Sequence, residues 1–134
     1  MKFSPSRSTT VLRDRSFLVR RDRAAAPALR ALIPSLAQLQ FELRFEGVTG
    51  IVPVPQTHVL HPPAQAYFVF PCPYADCDGQ FDLSAAVTAA LAAPSLRAEG
   101  VSECAGLRAG NDASRRPCRL HLRYAVMATR APAP

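Results

Sequence analysis

Four cysteines, Cys72, Cys77, Cys104 and Cys118, constrain this chain more than any other feature. They fall as C-x4-C, then 26 residues, then C-x13-C. Two thiol pairs at the ends of candidate strands can enclose one tetrahedral metal ion, and Zn²⁺ is the expected one. Four thiols also admit other chemistries: small buried hydrophobes, two disulfides in an exported protein, or a redox pair. The x4 spacing lacks the C-x-x-C geometry of thioredoxin-like redox sites. A site closed by four thiolates leaves no position for water, so it is structural rather than catalytic.

The cysteines are set among strand and helix signals. Leu39, Phe41, Leu43 and Phe45 alternate with Gln40, Glu42, Arg44 and Glu46, the period-two pattern of a half-buried antiparallel strand. Gly47 and Gly50 end it. Residues 51–60 read as a weaker extended segment, confined to an edge or loop by Pro53 and Pro55. Residues 66–70 read as a strand feeding into Cys72, and the run Tyr67, Phe68, Val69, Phe70 predicts burial on both faces. Asp82 or Ser84 can cap a helix that runs to Ala93, with Leu83, Val87 and Leu91 on its buried side and Pro94 stopping it. A modest strand follows over 96–104, then a loop over 105–117. The last strand spans 118–126, with Cys118, Leu120, Leu122, Tyr124 and Val126 facing one way and Arg119, His121 and Arg123 the other. This order predicts an α+β fold, a small antiparallel sheet of three to five strands with one packed helix.

Charge divides the chain. Residues 1–34 carry eight basic and two acidic side chains, a net of +6, whereas residues 35–134 carry eight of each. The expected organisation is a basic leader over 1–34, a metal-stapled domain over 35–128 and a tail over 129–134. Residues 24–33 could form a short helix ended by Pro34. A domain of this size is small enough for a staple to matter.

The segment Cys72-Pro73-Tyr74-Ala75-Asp76-Cys77-Asp78-Gly79 resembles the metal-binding knuckle of zinc-ribbon and related zinc-finger domains. A cysteine leaves a strand, Pro73 fixes the turn, Cys77 returns, and Gly79 permits the turn that releases the chain. Cys104-Ala105-Gly106 looks like the start of a second knuckle. The likeness spans residues 72–118, with x4 and x13 where the family commonly has x2, and with a helix between the pairs. It implies a structural zinc held by Cys72, Cys77, Cys104 and Cys118. It does not select a role, because zinc ribbons serve in transcription factors, ribosomal proteins and enzyme appendages.

Other polar residues have plainer readings. His58 and His61 form H-x-x-H, which could bind a second metal in a turn but faces opposite ways in a strand. His121 is expected in solvent. Asp76, Asp78 and Asp82 crowd the knuckle, where a turn-forming Asp78 and a helix-capping Asp82 are expected. Arg108, Arg115, Arg116, Arg119 and Arg123 gather near the last strand and form a candidate patch for phosphate or an acidic partner, without interleaved aromatics.

No Ser/His/Asp or Cys/His signature and no Gly-rich phosphate loop is present, so the chain is expected not to be an enzyme. No apolar run is long enough for a membrane span. Residues 24–37 faintly suggest a signal peptide ending at Ser35-Leu36-Ala37, but Arg30 and two prolines interrupt it, which leaves the cytoplasm as the expected location. The resulting expectation is a non-enzymatic, zinc-stabilised protein-interaction module within a larger assembly. The alternative is a nucleic-acid-binding accessory protein that uses the arginine patch and the basic N-terminal arm.

Overall fold

The alternation in the first clear strand is realised at the centre of the sheet. The computed structural model describes residues 19–46, 55–109 and 115–132. In chain order the elements are α1 (Leu29–Leu32), β1 (Leu36–Glu46), β2 (Gln56–Leu60), β3 (Val69–Pro71), β4 (Gln80–Asp82), α2 (Ser84–Ala92), β5 (Arg97–Glu103), β6 (Leu107–Ala109), β7 (Arg115–Pro117) and β8 (His121–Arg130). Residues 19–25 are also helical. Four strands form one antiparallel sheet in the order β2-β1-β8-β5. Two short antiparallel ribbons, β3–β4 and β6–β7, complete an α+β architecture.

The first and last strands of the sheet are its central neighbours. In their register Leu39 faces Ala128, Phe41 faces Val126, Leu43 faces Tyr124 and Phe45 faces Leu122. Period two therefore puts these eight side chains on one face of the sheet. Gln40, Glu42, Arg44 and Arg123 fall on the other face, which no described element covers. Onto the inner face pack the β3–β4 ribbon and α2. Phe41 meets Phe68 and Phe70 with ring centroids 5.9 and 5.1 Å away, and Phe45 meets Phe81 at 5.8 Å. Phe70 and Phe81 are cross-strand partners in the ribbon. The aromatic core thus sets the position of the ribbon that carries the first two cysteines.

Several expectations are refined. The strand expected over 66–70 shortens to β3, and of its four large side chains only Phe68 is buried. The run Tyr67 to Phe70 covers one face of a sheet instead of being sandwiched between two layers. The buried side of α2 is Leu83, Ala86, Val87 and Ala90, with Leu91 only half-buried. Asp82 caps it from one residue outside, its Oδ1 accepting from the Ser84 amide (3.0 Å). The span 105–117 is not a plain loop, because it contains β6 and β7. Arg119 adopts a left-handed φ of 55°, which turns the chain between Cys118 and β8. Cys118 therefore belongs to the ribbon and not to the sheet.

At the N-terminal side, Leu29 is fully buried, and the Ala66 amide donates to the Pro27 carbonyl (2.8 Å). Pro27 and Leu29, within the segment expected to be a leader, thus contact the domain; residues 1–18 lie outside the described residues. No helix among the described residues is long and apolar enough to cross a membrane.

Phe41 has no exposed surface and packs on the rings of Phe68 and Phe70. Phe41→Ala should lower unfolding stability by about 3–5 kcal/mol, read from urea denaturation, because neither sheet nor ribbon can collapse freely into the void.

Candidate metal centre

Each cysteine pair sits on its own ribbon. Cys72 follows β3 directly, and Cys77 lies in the turn before β4. Cys104 follows β5 at the entry to β6, and Cys118 follows β7 directly. The two ribbons use the same local device. The Gly79 amide donates to the Cys77 sulfur (3.2 Å), while the Gly79 carbonyl accepts from the Cys72 amide (3.0 Å). The Gly106 amide donates to the Cys104 sulfur (3.4 Å), while the Gly106 carbonyl accepts from the Cys118 amide (3.0 Å). A Cys-x-Gly triplet therefore folds each pair into the same shape.

The two triplets meet back to back. A side-chain carbon added at Gly106 would collide with the backbone nitrogen and Cα of Gly79, and one added at Gly79 would collide with the Cys104 sulfur. Only hydrogen fits between them. Around this contact the ribbons are stitched together. The Asp78 amide donates to the Leu107 carbonyl (3.3 Å), the Leu107 amide to Asp78 Oδ1 (2.7 Å), and the Ala109 amide to the Asp76 carbonyl (2.9 Å). Arg108 lies 3.9 Å over the Tyr74 ring and pairs with Asp76 (3.1 Å).

This brings the four sulfurs within 4.8 Å of one another. Cys72 to Cys118 and Cys77 to Cys104 are each 3.7 Å apart, far beyond a disulfide bond of about 2 Å. Three of the cysteines are buried and Cys118 is half-buried. One metal ion could touch all four. Burial pushes the thiols of Cys72, Cys77 and Cys104 up, Cys77 to about 12. Neighbouring sulfurs add to the rise at Cys72 and Cys77, the amides of Tyr74, Gly79 and Gly106 oppose it, and at Cys104 the Cys77 sulfur lowers and the Cys118 sulfur raises it. The site therefore disfavours bare thiolates but holds donors ready for thiolates that a cation neutralises.

The three histidines lie apart from this cluster. Among the described residues the four cysteines form the one group placed to hold a metal ion. His58 stacks near Phe70 (centroids 4.9 Å apart) and meets Gln56 Oε1, while His61 is exposed. His121 is exposed, 3.8 Å from Glu103. The five arginines divide between two places. Arg108, Arg115 and Arg116 belong to the β6–β7 ribbon and Arg119 follows it, whereas Arg123 lies on the outer sheet face, paired with Glu46 (3.2 Å). That face holds a shallow groove of about 670 Å³ lined by Glu42, Arg44, Thr57, Glu99 and Arg123.

The paired Cys-x-Gly triplets are the signal that locates both knuckles. The ribbon over 107–117 also has one: Gly110-Asn111-Asp112 punctuates two short segments leading from one cysteine to the next. Comparison with known proteins finds no matching protein-family model, no matching curated protein and no matching solved structure.

Two outcomes follow from this geometry. Gly106→Ala should force the triplets apart and weaken metal binding at least about tenfold, measured by competition with a chromogenic chelator, since outer contacts of metal ligands carry effects of that order. The second concerns pH. The folded metal-free chain holds the thiol protons more tightly than the unfolded chain, whose thiols titrate near 9. Its stability contribution from these groups is complete below that value and is lost as pH rises toward 12. The melting temperature of the metal-free chain should therefore fall on going from neutral to strongly alkaline buffer, whereas metal affinity should fall in the opposite direction, toward acid, as protons compete for the sulfurs.

Proposed function

We propose that the chain is a non-enzymatic interaction module whose fold is stapled by one structural Zn²⁺ on Cys72, Cys77, Cys104 and Cys118. The observation that carries this reading is the closure of the sulfur cluster. Zinc–thiolate bonds of about 2.3 Å in a tetrahedron give sulfur–sulfur edges of about 3.8 Å. Two of the sulfur pairs are 3.7 Å apart, and all lie within 4.8 Å. An all-thiolate donor set suits zinc rather than a hard cation such as Mg²⁺ or Ca²⁺. With four protein ligands the ion has no open position at which to activate water, so its role is to hold the two ribbons together. Binding energy at such a site is folding energy, on the order of 10 kcal/mol in small zinc-binding peptides.

A module of this kind acts through its surface, and a protein partner within a larger assembly is the reading we favour. Reduced thiols as metal ligands fit a reducing compartment such as the cytoplasm. Nucleic-acid binding is a second reading, favoured by Arg116 and Arg119. Both are exposed and make no ion pair among the described residues, and the basic residues 1–34 would add to them. Arg108 and Arg123 favour it less, being held by Asp76 and Glu46.

The purified chain should contain one zinc per polypeptide by native mass spectrometry. Chelator, or Cys77→Ser, should remove the ion and sharply lower the melting temperature read by circular dichroism. A ligand variant as stable as the zinc-bound wild type, with its contacts intact, would contradict the reading. For the second reading, retardation of DNA or RNA should be strong at low salt and collapse as salt rises. No retardation at low salt would remove it.

A further inference from the structure

The sheet has two edges, and they are not alike. β2 is bounded by Pro55 on one side and Pro62-Pro63 on the other, which discourages further pairing. β5 is the longer edge, seven residues, with no proline between 95 and 116. Its far side is unpaired among the described residues. The Ala128 amide donates to the Leu96 carbonyl (2.8 Å), and the Cys104 amide donates to the Leu120 carbonyl (2.7 Å). Both ends of the β5–β8 ladder thus bond through even-numbered residues. Antiparallel alternation then turns the N–H and C=O groups of Arg97, Glu99, Val101 and Glu103 away from β8.

Two neighbouring features mark this edge as covered. Val101 is an exposed apolar side chain at 56%. Helix α2, which packs on β5 and β8, carries no charged residue. Its exposed positions are Ser84, Ala85, Thr88, Ala89 and Ala92. A helix facing water normally places charge on that side. The inward residues of β5, Ala98, Gly100 and Ser102, are also small.

We infer that β5 is a self-association edge, on which two copies of this chain pair antiparallel about Gly100. The occupant is identified by charge. In that register Arg97 lies opposite the partner's Glu103 at both ends, and Glu99 lies opposite the partner's Val101. Centring on Glu99 instead sets two Glu99 side chains against each other. Centring on Val101 sets Glu99 against the partner's Glu103. Like charges directly opposite are unfavourable, and centring on Ala98 or Ser102 would pair only three residues of each β5, so the Gly100 register is the one that engages the whole strand without a clash. The outward groups of the four odd-numbered residues then form about eight backbone hydrogen bonds across a two-fold axis. The two sheets become one continuous sheet, and the uncharged faces of α2 and its copy come side by side. Arg97 exchanges an exposed contact with Glu99, and Glu103 one with His121, so little is lost on pairing. Neither β5 nor α2 supplies a sulfur, but β5 leads directly into Cys104, so metal content is read alongside association.

Sedimentation equilibrium of the full chain tests it, with native mass spectrometry of the same samples for metal content. The wild type should approach twice 14.5 kDa at micromolar concentration. Val101→Pro removes an outward N–H that the β8 ladder does not use, so it should give a monomer with an unchanged circular dichroism spectrum. Arg97→Glu and Glu103→Arg should each weaken association at least about tenfold, and the double reversal should restore it. A wild type that stays monomeric, a Val101→Pro variant that still dimerises, or single reversals without effect would each overturn the proposal. A dimer free of metal would support it while counting against zinc; a zinc-bound monomer would overturn it alone.

Discussion

Two glycines facing each other across the gap between two ribbons are the constraint on which the cysteine centre depends. Gly79 and Gly106 approach so closely that no side chain fits at either position. That contact brings two identical Cys-x-Gly triplets together and closes four sulfurs into one cluster. The β6–β7 ribbon needs this arrangement most. None of its described side chains is buried, and three-residue strands do not persist alone in water. It is held by hydrogen bonds to residues 76–78, by Arg108 between Tyr74 and Asp76, and by the sulfurs. The β3–β4 ribbon has a second anchor in Phe70 and Phe81 against the sheet. The centre therefore transmits the order of the aromatic core to a part of the chain that has no core of its own.

The centre also governs one end of the sheet. β5 runs directly into Cys104, and β8 begins just after Cys118. The Cys104 amide bonds to the Leu120 carbonyl, so the ladder between β5 and β8 continues into the cluster. Fixing the sulfurs fixes where both strands start or stop. This links the cysteine-bearing ribbons to the edge of the sheet.

The sheet was legible in the sequence to the extent that one face of each strand is apolar. Leu39 to Phe45 and Leu120 to Val126 alternate cleanly because the outer face meets water. The four cysteines were legible because their chemistry is sparse and their spacing carries Cys-x-Gly twice. The second ribbon was less so. Its strands contain Leu107, Arg108, Ala109 and Arg116, none of them fully buried, and leave no periodic trace. The start of the last strand was hidden by Arg119, whose left-handed backbone is unusual for a residue with a side chain. Arg108 was read as part of a basic surface, but its neighbours Tyr74 and Asp76 come from a ribbon 32 residues away along the chain. Such a contact is set by tertiary structure and has no local signature. In α2, small residues on every side blurred which face was inward.

X-ray absorption at the zinc edge of the purified chain tests the central claim most directly. The account predicts four sulfur scatterers at about 2.3 Å and no nitrogen or oxygen in the coordination sphere. A mixed nitrogen–sulfur shell, or a folded chain that takes up no zinc, would contradict it.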